Sequence, residues 1–414
     1  MEDTTAMDPK AQRLLEMFEA ISRIPRCSKN EAAIARWFEA WAGSHGWPSK
    51  RDPAGNLLIR VPATAGGERA PAVVIQGHLD MVCEKTPESP HDFSRDPIRL
   101  VREGDWIRAD ATTLGADNGV ALALGATLAE DPGAKHPPLE LLFTVDEETG
   151  LTGAKRLEPG FVEGRLLINL DSETEGMFTV GCAGGRDVQI ERGLRFTPVP
   201  EGSRRVKVTV GGLTGGHSGI DIHRPRANAI KLLARLLDVL LQDDAVRLMA
   251  VAGGTRRNAI PRDAWGQVAC PAERAPALHR HVAEWDAPFR AEFPCETALR
   301  LSIEDAPAPS SGPAAMSREG GLAVVHLLLA LPHGVAQMDP AFGDLVLTSS
   351  NLAITETTGA AQKIVTSQRS LSRFGLDAMS GQVRAAAALA GGRAYTESEY
   401  PPWTPNPGSP LLAR

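Results

Sequence analysis

The sequence predicts an α/β domain, a mixed and mostly parallel sheet with helices on both faces, interrupted by an inserted α+β domain. Two observations carry this. Through residue 170, short continuous apolar runs alternate with stretches of helical period, as in a sheet buried on both faces. After Gly184 the pattern changes to strands that alternate polar and apolar residues, as in a sheet with one wet face.

The elements follow in order. Leu14, Leu15, Phe18, Ile21 and Ile24 share one face of a helix over 11–24, and a second helix runs through Glu31–Trp41. Ala72–Gln76, Leu139–Val145 and Leu166–Leu170 are the buried strands, and the Ala- and Leu-rich stretch Asn118–Leu128 is a helix between the first two. In the second part, Arg205–Val210, Ala264–Cys270, Ala298–Ile303, Leu345–Thr355 and Lys363–Ser367 read as strands. Ala227–Leu241, Leu322–Leu331 and Leu376–Ala390 read as helices, and Ala306–Ala315 as a loop. The expected division is residues 1–185 plus 391–414 for the first domain and 186–390 for the insertion. A chain of 414 residues exceeds one ordinary core, which agrees with at least two domains.

Composition narrows the function classes. A net charge of -7 leaves no broad basic footprint, so no nucleic-acid partner is expected. The longest apolar stretches, near Lys231–Leu241 and Gly321–Leu331, fall short of the ~20 residues that span a bilayer, so no membrane role is expected. The opening MEDTTAMDPK is acidic and lacks the apolar core of a secretory signal. Cys27, Cys83, Cys182, Cys270 and Cys295 are scattered and odd in number, which reads as reduced thiols of a cytoplasmic protein.

Four segments of the first domain bring acids or imidazole to the end of a buried strand or just beyond it, where ligands gather in open α/β sheets. In VVIQGHLDMV, residues 73–82, His78 and Asp80 are two apart on extended chain and point to one side. They suit a metal-binding imidazole oriented by a carboxylate, or a core histidine beside a capping acid. In TLGADNGVALALG, residues 113–125, Asp117 precedes a helix and suits either a ligand or an N-cap. In LELLFTVDEETG, residues 139–150, Asp146, Glu147 and Glu148 follow an apolar strand. Like charges crowded there call for a cation unless the turn is solvated. In RLLINLDSE, residues 165–173, Asp171 ends another strand, as a ligand or a turn former. Together they offer nitrogen and oxygen donors without thiolate, the set for zinc or a similar cation. Paired carboxylates suit a two-metal hydrolytic site.

With these segments taken together, the chain resembles the co-catalytic zinc exopeptidase family, which includes carnosinases, aminoacylases and glutamate-releasing carboxypeptidases. The resemblance is to its aminoacyl-histidine (Xaa-His) dipeptidase branch. It rests on GHLDMVCEK, LGADNGV, TVDEETGLTGA, NLDSE, VGCAGG, GLTGGHSG, GGTRRNAIPR and SQRSL, which occur in order along nearly the whole chain. The resemblance implies a catalytic domain with an inserted lid, two zinc ions, and hydrolysis of small dipeptides of the β-alanyl-histidine type, with other dipeptides or N-acyl amino acids as the alternative substrates. It implies that His78 and Asp171 ligate the first zinc, that Asp117 bridges, that Glu148 ligates the second, that Asp80 orients His78, and that Glu147 is the general base. The peptide after Asp117 is often cis in the family. His217 resembles the residue that polarises the scissile carbonyl, from the same or a neighbouring subunit, and a homodimer is compatible with this. Asn258 and Arg369 resemble substrate-binding positions, Arg369 being suited to a free carboxylate. The family places a further histidine, a ligand of the second zinc, in a later segment. Here the last histidine is His333, so no residue is assigned that role, and a shortened chain, even an inactive one, is the expectation.

Overall fold

A computed structural model describes residues 7–172, 174–306, 314–340 and 342–413. The loop expected over 306–315 lies, apart from its ends, outside the described residues. Among the described residues the chain divides into two compact units, one of residues 7–179 with Ala413 and the other of residues 180–412.

The first unit is built on a five-stranded sheet. Its strands are β1 (Ser49–Arg51), β2 (Leu57–Val61), β3 (Val73–His78), β6 (Leu139–Thr144) and β7 (Leu166–Asn169), in the order β1-β2-β6-β3-β7. A separate hairpin of β4 (Leu100–Glu103) and β5 (Trp106–Ala109) lies off this sheet. The ladders β3–β6 and β3–β7 are parallel, while β1–β2 and β2–β6 are antiparallel. Buried runs such as Leu139–Thr144 occupy the centre because both faces are covered. On one face, helices α1 (Pro9–Ser22), α2 (Ala32–Ser44) and α3 (Ala116–Glu130) pack Phe18, Ile21, Ile34, Phe38 and Leu122 against Leu57, Ile59, Ile75, Leu141 and Phe143. The other face carries Leu58, Val74 and Leu142 under Leu157, Phe161 and Val162, which follow the short helix α4 (Thr152–Lys155). Parallel strands put the ends of β3, β6 and β7 on the same side, and this gathers His78, Asp80, Glu147, Glu148 and Asp171.

The second unit holds a nine-stranded antiparallel sheet. Across it run Arg300–Asp305, Arg204–Gly211, Ala264–Cys270, Arg247–Gly253, Val346–Thr358, Ala361–Ser370, Gly184–Gly193 and Arg393–Tyr400, with Gly334–Met338 also paired to Val346–Thr358. The helices Ala229–Leu240, Arg318–Ala330 and Arg373–Leu389 cover its apolar side through Leu233, Leu237, Val325, Leu328 and Val383.

Two expectations are corrected. The segment after Gly391 does not join the first sheet: Arg393–Tyr400 pairs antiparallel with Gly184–Gly193 in the second unit. It is an edge strand, and its polar composition hides it from a reading based on apolar runs. Nor are all five cysteines free thiols. Cys27 and Cys83 form a disulfide, while Cys182, Cys270 and Cys295 are free. A bridge between Cys27 and Met81 docks the chain before α2 on the segment after β3, bringing together cysteines 56 residues apart in sequence. Sequence spacing carries no trace of that proximity. Among the described residues, no helix is long and apolar enough to cross a membrane.

Candidate metal centre

His78 ends β3 and is buried. Its two ring nitrogens face different partners. Nδ1 lies 3.1 Å from the Asp80 carbonyl oxygen and 3.2 Å from Asp80 Oδ1. Nε2 lies 3.0 Å from Asp117 Oδ1 and 3.5 Å from Asp171 Oδ1. A ligating imidazole oriented through its other nitrogen has this arrangement.

Asp80 is fully buried and holds more than the histidine. Its carboxylate accepts from Ser28 Oγ at 2.7 Å, from the Glu147 N–H at 3.0 Å and from the Glu148 N–H at 3.2 Å. Burial works against its charge. The bonds from His78, the Glu147 N–H, Ser28 and the Glu148 N–H outweigh that and bring its pKa down to about 2. Asp80 therefore orients His78 and also fixes the turn that carries the two glutamates.

Asp117 sits in the first turn of α3 after Gly115, which takes a left-handed φ of 70°. The Asp117–Asn118 peptide is cis, as the resemblance implies. Asn118, which sequence reasoning missed, joins three segments. Its Oδ1 accepts from the His78 N–H at 3.0 Å, and its Nδ2 donates to the Leu170 carbonyl at 3.3 Å and to Asp171 Oδ1 at 2.5 Å. Gly77 makes room for it, since a Cβ there would lie 2.4 Å from Asn118 Oδ1. The one available signal was a polar residue at the head of an otherwise apolar helix.

The three acids after β6 separate in role. Asp146 takes a φ of 51° and accepts from the hydroxyls of Thr149 and Thr152, while its N–H donates to Glu31 Oε1 at 3.0 Å, so it builds the turn. Glu148 points to the histidine. His78, Asp117 and Glu148 each present a ligand atom, all within 4.8 Å of one another.

Charge in this group is unbalanced. Burial and neighbouring Asp171 raise the pKa of Asp117. Burial, then Asp117, raises that of Glu148, and burial, then Asp171 and Glu148, raises that of Glu147. Burial opposes protonation of His78, but the hydrogen bonds and charges of Asp171 and Asp80 prevail and raise its pKa to about 10. Crowding that holds Asp117, Glu147 and Glu148 back from ionising is what a divalent cation relieves. The nitrogen and oxygen donors of His78, Asp117 and Glu148 and their spacing fit such an ion.

The remaining site residues from the sequence gather in the second unit. His217 pairs with Ala259 in a two-residue ladder, and the Ser218 N–H donates to the Asn258 carbonyl at 2.8 Å. His217 Nδ1 accepts from the Gly219 N–H at 3.2 Å, which leaves the proton on Nε2. Burial, and then the charge of Arg369, lower its pKa and keep it neutral. Arg369 lies beside Gly219, where a Cβ would come within 3.2 Å of its guanidine carbon. Its Nη1 donates to the Tyr400 hydroxyl at 2.8 Å, and its buried Nε has no partner among the described residues. Tyr400 was also missed, because it lies on the unrecognised edge strand.

Residues 208–295 match the model of a peptidase dimerisation domain. The chain is 37% identical over 413 residues to the cytosol non-specific dipeptidase of Escherichia coli (strain K12), covering 100% of this chain and 84% of that one. It is similar to the crystal structure of aminoacylhistidine dipeptidase from Vibrio alginolyticus, with a TM-score of 0.91, 36% identity, and coverage of 100% of this chain and 84% of that one. The chain belongs to the co-catalytic metallo-exopeptidase family, in the dipeptidase branch that includes the aminoacylhistidine dipeptidases.

Proposed function

We propose that this protein hydrolyses dipeptides in a metal-dependent reaction, with Xaa-His dipeptides such as β-alanyl-histidine among its substrates. The observation that carries the reading is the cluster of His78, Asp117 and Glu148, whose ligand atoms lie within 4.8 Å of one another, with Asp171 3.5 Å from His78 Nε2 and Glu147 next in sequence to Glu148. We assign zinc to His78, Asp117, Glu148 and Asp171, on the chemistry of the donors. When bound, the ions supply Lewis acidity and bring the pKa of a coordinated water towards neutrality. Glu147 takes the proton of the attacking water on its carboxylate and returns it to the nitrogen of the leaving amine. Its pKa, raised chiefly by burial, moves towards the range a general base needs. His217 donates a hydrogen bond from its Nε2–H to the carbonyl oxygen as charge develops there. Arg369 pairs with the free carboxylate of the dipeptide, and Asn258 assists in holding it. Asp80 keeps His78 in the ligating tautomer.

The match over 208–295 supports a homodimer. The name of the Escherichia coli relative supports a cytoplasmic location. The test is hydrolysis of β-alanyl-histidine by the zinc-loaded chain, against a panel of other dipeptides and N-acyl amino acids. Glu147→Gln should lose roughly 10²–10⁴-fold in kcat and keep its zinc. Full turnover by that variant would overturn the assignment.

A further inference from the structure

Arg26 is a cation sealed in the first unit. It is 1% exposed, and among the described residues no carboxylate lies within ion-pair distance of it. Burying a guanidinium is costly unless its donors are satisfied. Its two Nη groups donate to backbone carbonyls of two segments that carry the metal centre, while its buried Nε has no partner among the described residues. Nη1 donates to the Leu79 carbonyl at 3.0 Å and the Asp80 carbonyl at 2.8 Å, and Nη2 donates to the Gly115 carbonyl. The Arg26 carbonyl in turn accepts from the Met81 N–H at 3.1 Å. Residue 26 is thus fastened to the segment just after β3 by both its backbone and its side chain, and reaches from there to the turn that opens α3.

Two glycines are required for this seat. A Cβ on Gly115 would lie 2.7 Å from Arg26 Nη2, and a Cβ on Gly119 would lie at the same 2.7 Å distance. Both lie in the LGADNGV segment, on either side of Asp117. The glycines that flank this acid therefore make room for a guanidinium as well as for a turn.

We infer that Arg26 is a positioning residue of the metal centre, setting the separation between the strand end that carries His78 and Asp80 and the helix start that carries Asp117. The inference rests on the metal-centre reading above. Its physical basis is the planar fork. A planar guanidinium holds its acceptors apart by the fixed separation of its two Nη atoms, whereas an ammonium draws them towards a single atom. His78 Nε2 and Asp117 Oδ1 are 3.0 Å apart across the two segments it joins, so movement at Gly115 alters that spacing directly.

Charge and position predict opposite signs. As a charge, Arg26 repels a cation, and its removal tightens metal binding. As a spacer, its removal weakens metal binding. The experiment measures Zn²⁺ affinity by calorimetry, and the visible absorption of the Co²⁺-loaded protein, for the wild type, Arg26→Lys, Arg26→Met and Gly119→Ala. Circular dichroism confirms which variants fold. Arg26→Lys keeps the charge without the fork, and Gly119→Ala displaces Nη2 with the arginine still present. The expected result is a loss of about 10–100-fold in Zn²⁺ affinity for every folded variant, with a shifted Co²⁺ spectrum, the size seen when groups supporting ligands are removed. Affinities within twofold of wild type and an unchanged spectrum would overturn the inference and leave the metal-centre reading intact. Tighter binding by Arg26→Met would overturn it in favour of a charge effect alone. A wild-type chain that binds neither metal would overturn both.

Discussion

Replacing Asp80 by asparagine tests the organisation of the metal centre most directly. The carboxylate is fully buried and receives Ser28 Oγ, two backbone N–H groups and His78 Nδ1. An amide of the same shape has one acceptor oxygen and one donor group. The Glu147 N–H is on Oδ1 and the Glu148 N–H on Oδ2, so in either orientation the amide NH₂ confronts a backbone donor. Ser28 can turn its hydroxyl to accept instead. Losing a charge-assisted buried hydrogen bond costs about 1.5–3 kcal/mol. A loss of about 3 kcal/mol in the first unit lowers its melting temperature by roughly 10 °C. Zinc affinity falls about 10–100-fold, because His78 loses the partner that orients it. The sign with pH follows from the lowered pKa. The stabilisation is complete above 3.8 and disappears as pH falls through about 2, so the gap between wild type and variant is full at pH 7 and narrows in acid. Melting curves and zinc calorimetry at pH 7 are the assays. A variant that melts within 2 °C of wild type and binds zinc equally would refute the reasoning.

Three further outcomes are expected. The metal-free His78 pKa of about 10 is raised, so its proton stabilises the metal-free fold fully below 6.5 and this is lost as pH rises through about 10. A ligating imidazole must shed that proton, so Zn²⁺ affinity measured by calorimetry should rise about tenfold per pH unit between 7 and 9, and pH-independent binding would contradict the assignment. Arg369→Met should raise KM for a dipeptide about 10–100-fold while leaving a C-terminally amidated analogue unaffected, and equal effects on both would remove the carboxylate role. Thiol titration of the denatured, unreduced chain should count three free thiols, and five after reduction. Cys83→Ser should then cost the first unit up to about 4 kcal/mol in a chemical denaturation curve, for a loop of this length.

The parts legible in the sequence are those where local chemistry and long-range structure agree. Leu139–Thr144 reads as a buried strand because every residue of it is buried. His78, Asp117, Glu148 and Asp171 stand out because acids and imidazole at the ends of such strands contradict their surroundings unless they bind something. What escaped notice acts across sequence. Ser28 reaches Asp80 over 52 residues, Asn118 reaches Asp171 over 53, and Arg26 reaches Gly115 over 89. Each is an ordinary polar residue by its neighbours in sequence, and becomes distinctive only when the fold supplies its partner. Cys27 and Cys83 belong with them. Arg393–Tyr400 failed for a different reason: an edge strand pairs through its backbone and needs no apolar pattern to do so.

The place of Gly184–Gly193 in the second sheet has a consequence for how the chain is made. Among the described residues this strand is paired only with Ala361–Ser370 and Arg393–Tyr400, so its ladder partners lie about two hundred residues further along the chain. On the ribosome it emerges early and waits. The strands and helices of the first unit are by then complete, and their pairings span shorter separations, so that unit has the opportunity to fold first. Until its partners arrive, the 184–193 segment presents Val188 and Ile190, both fully buried in the finished sheet, together with an unpaired backbone on both sides. The interval between synthesis of residue 193 and residue 361 is therefore when this protein is most exposed to misassociation, and when a chaperone has most to contribute.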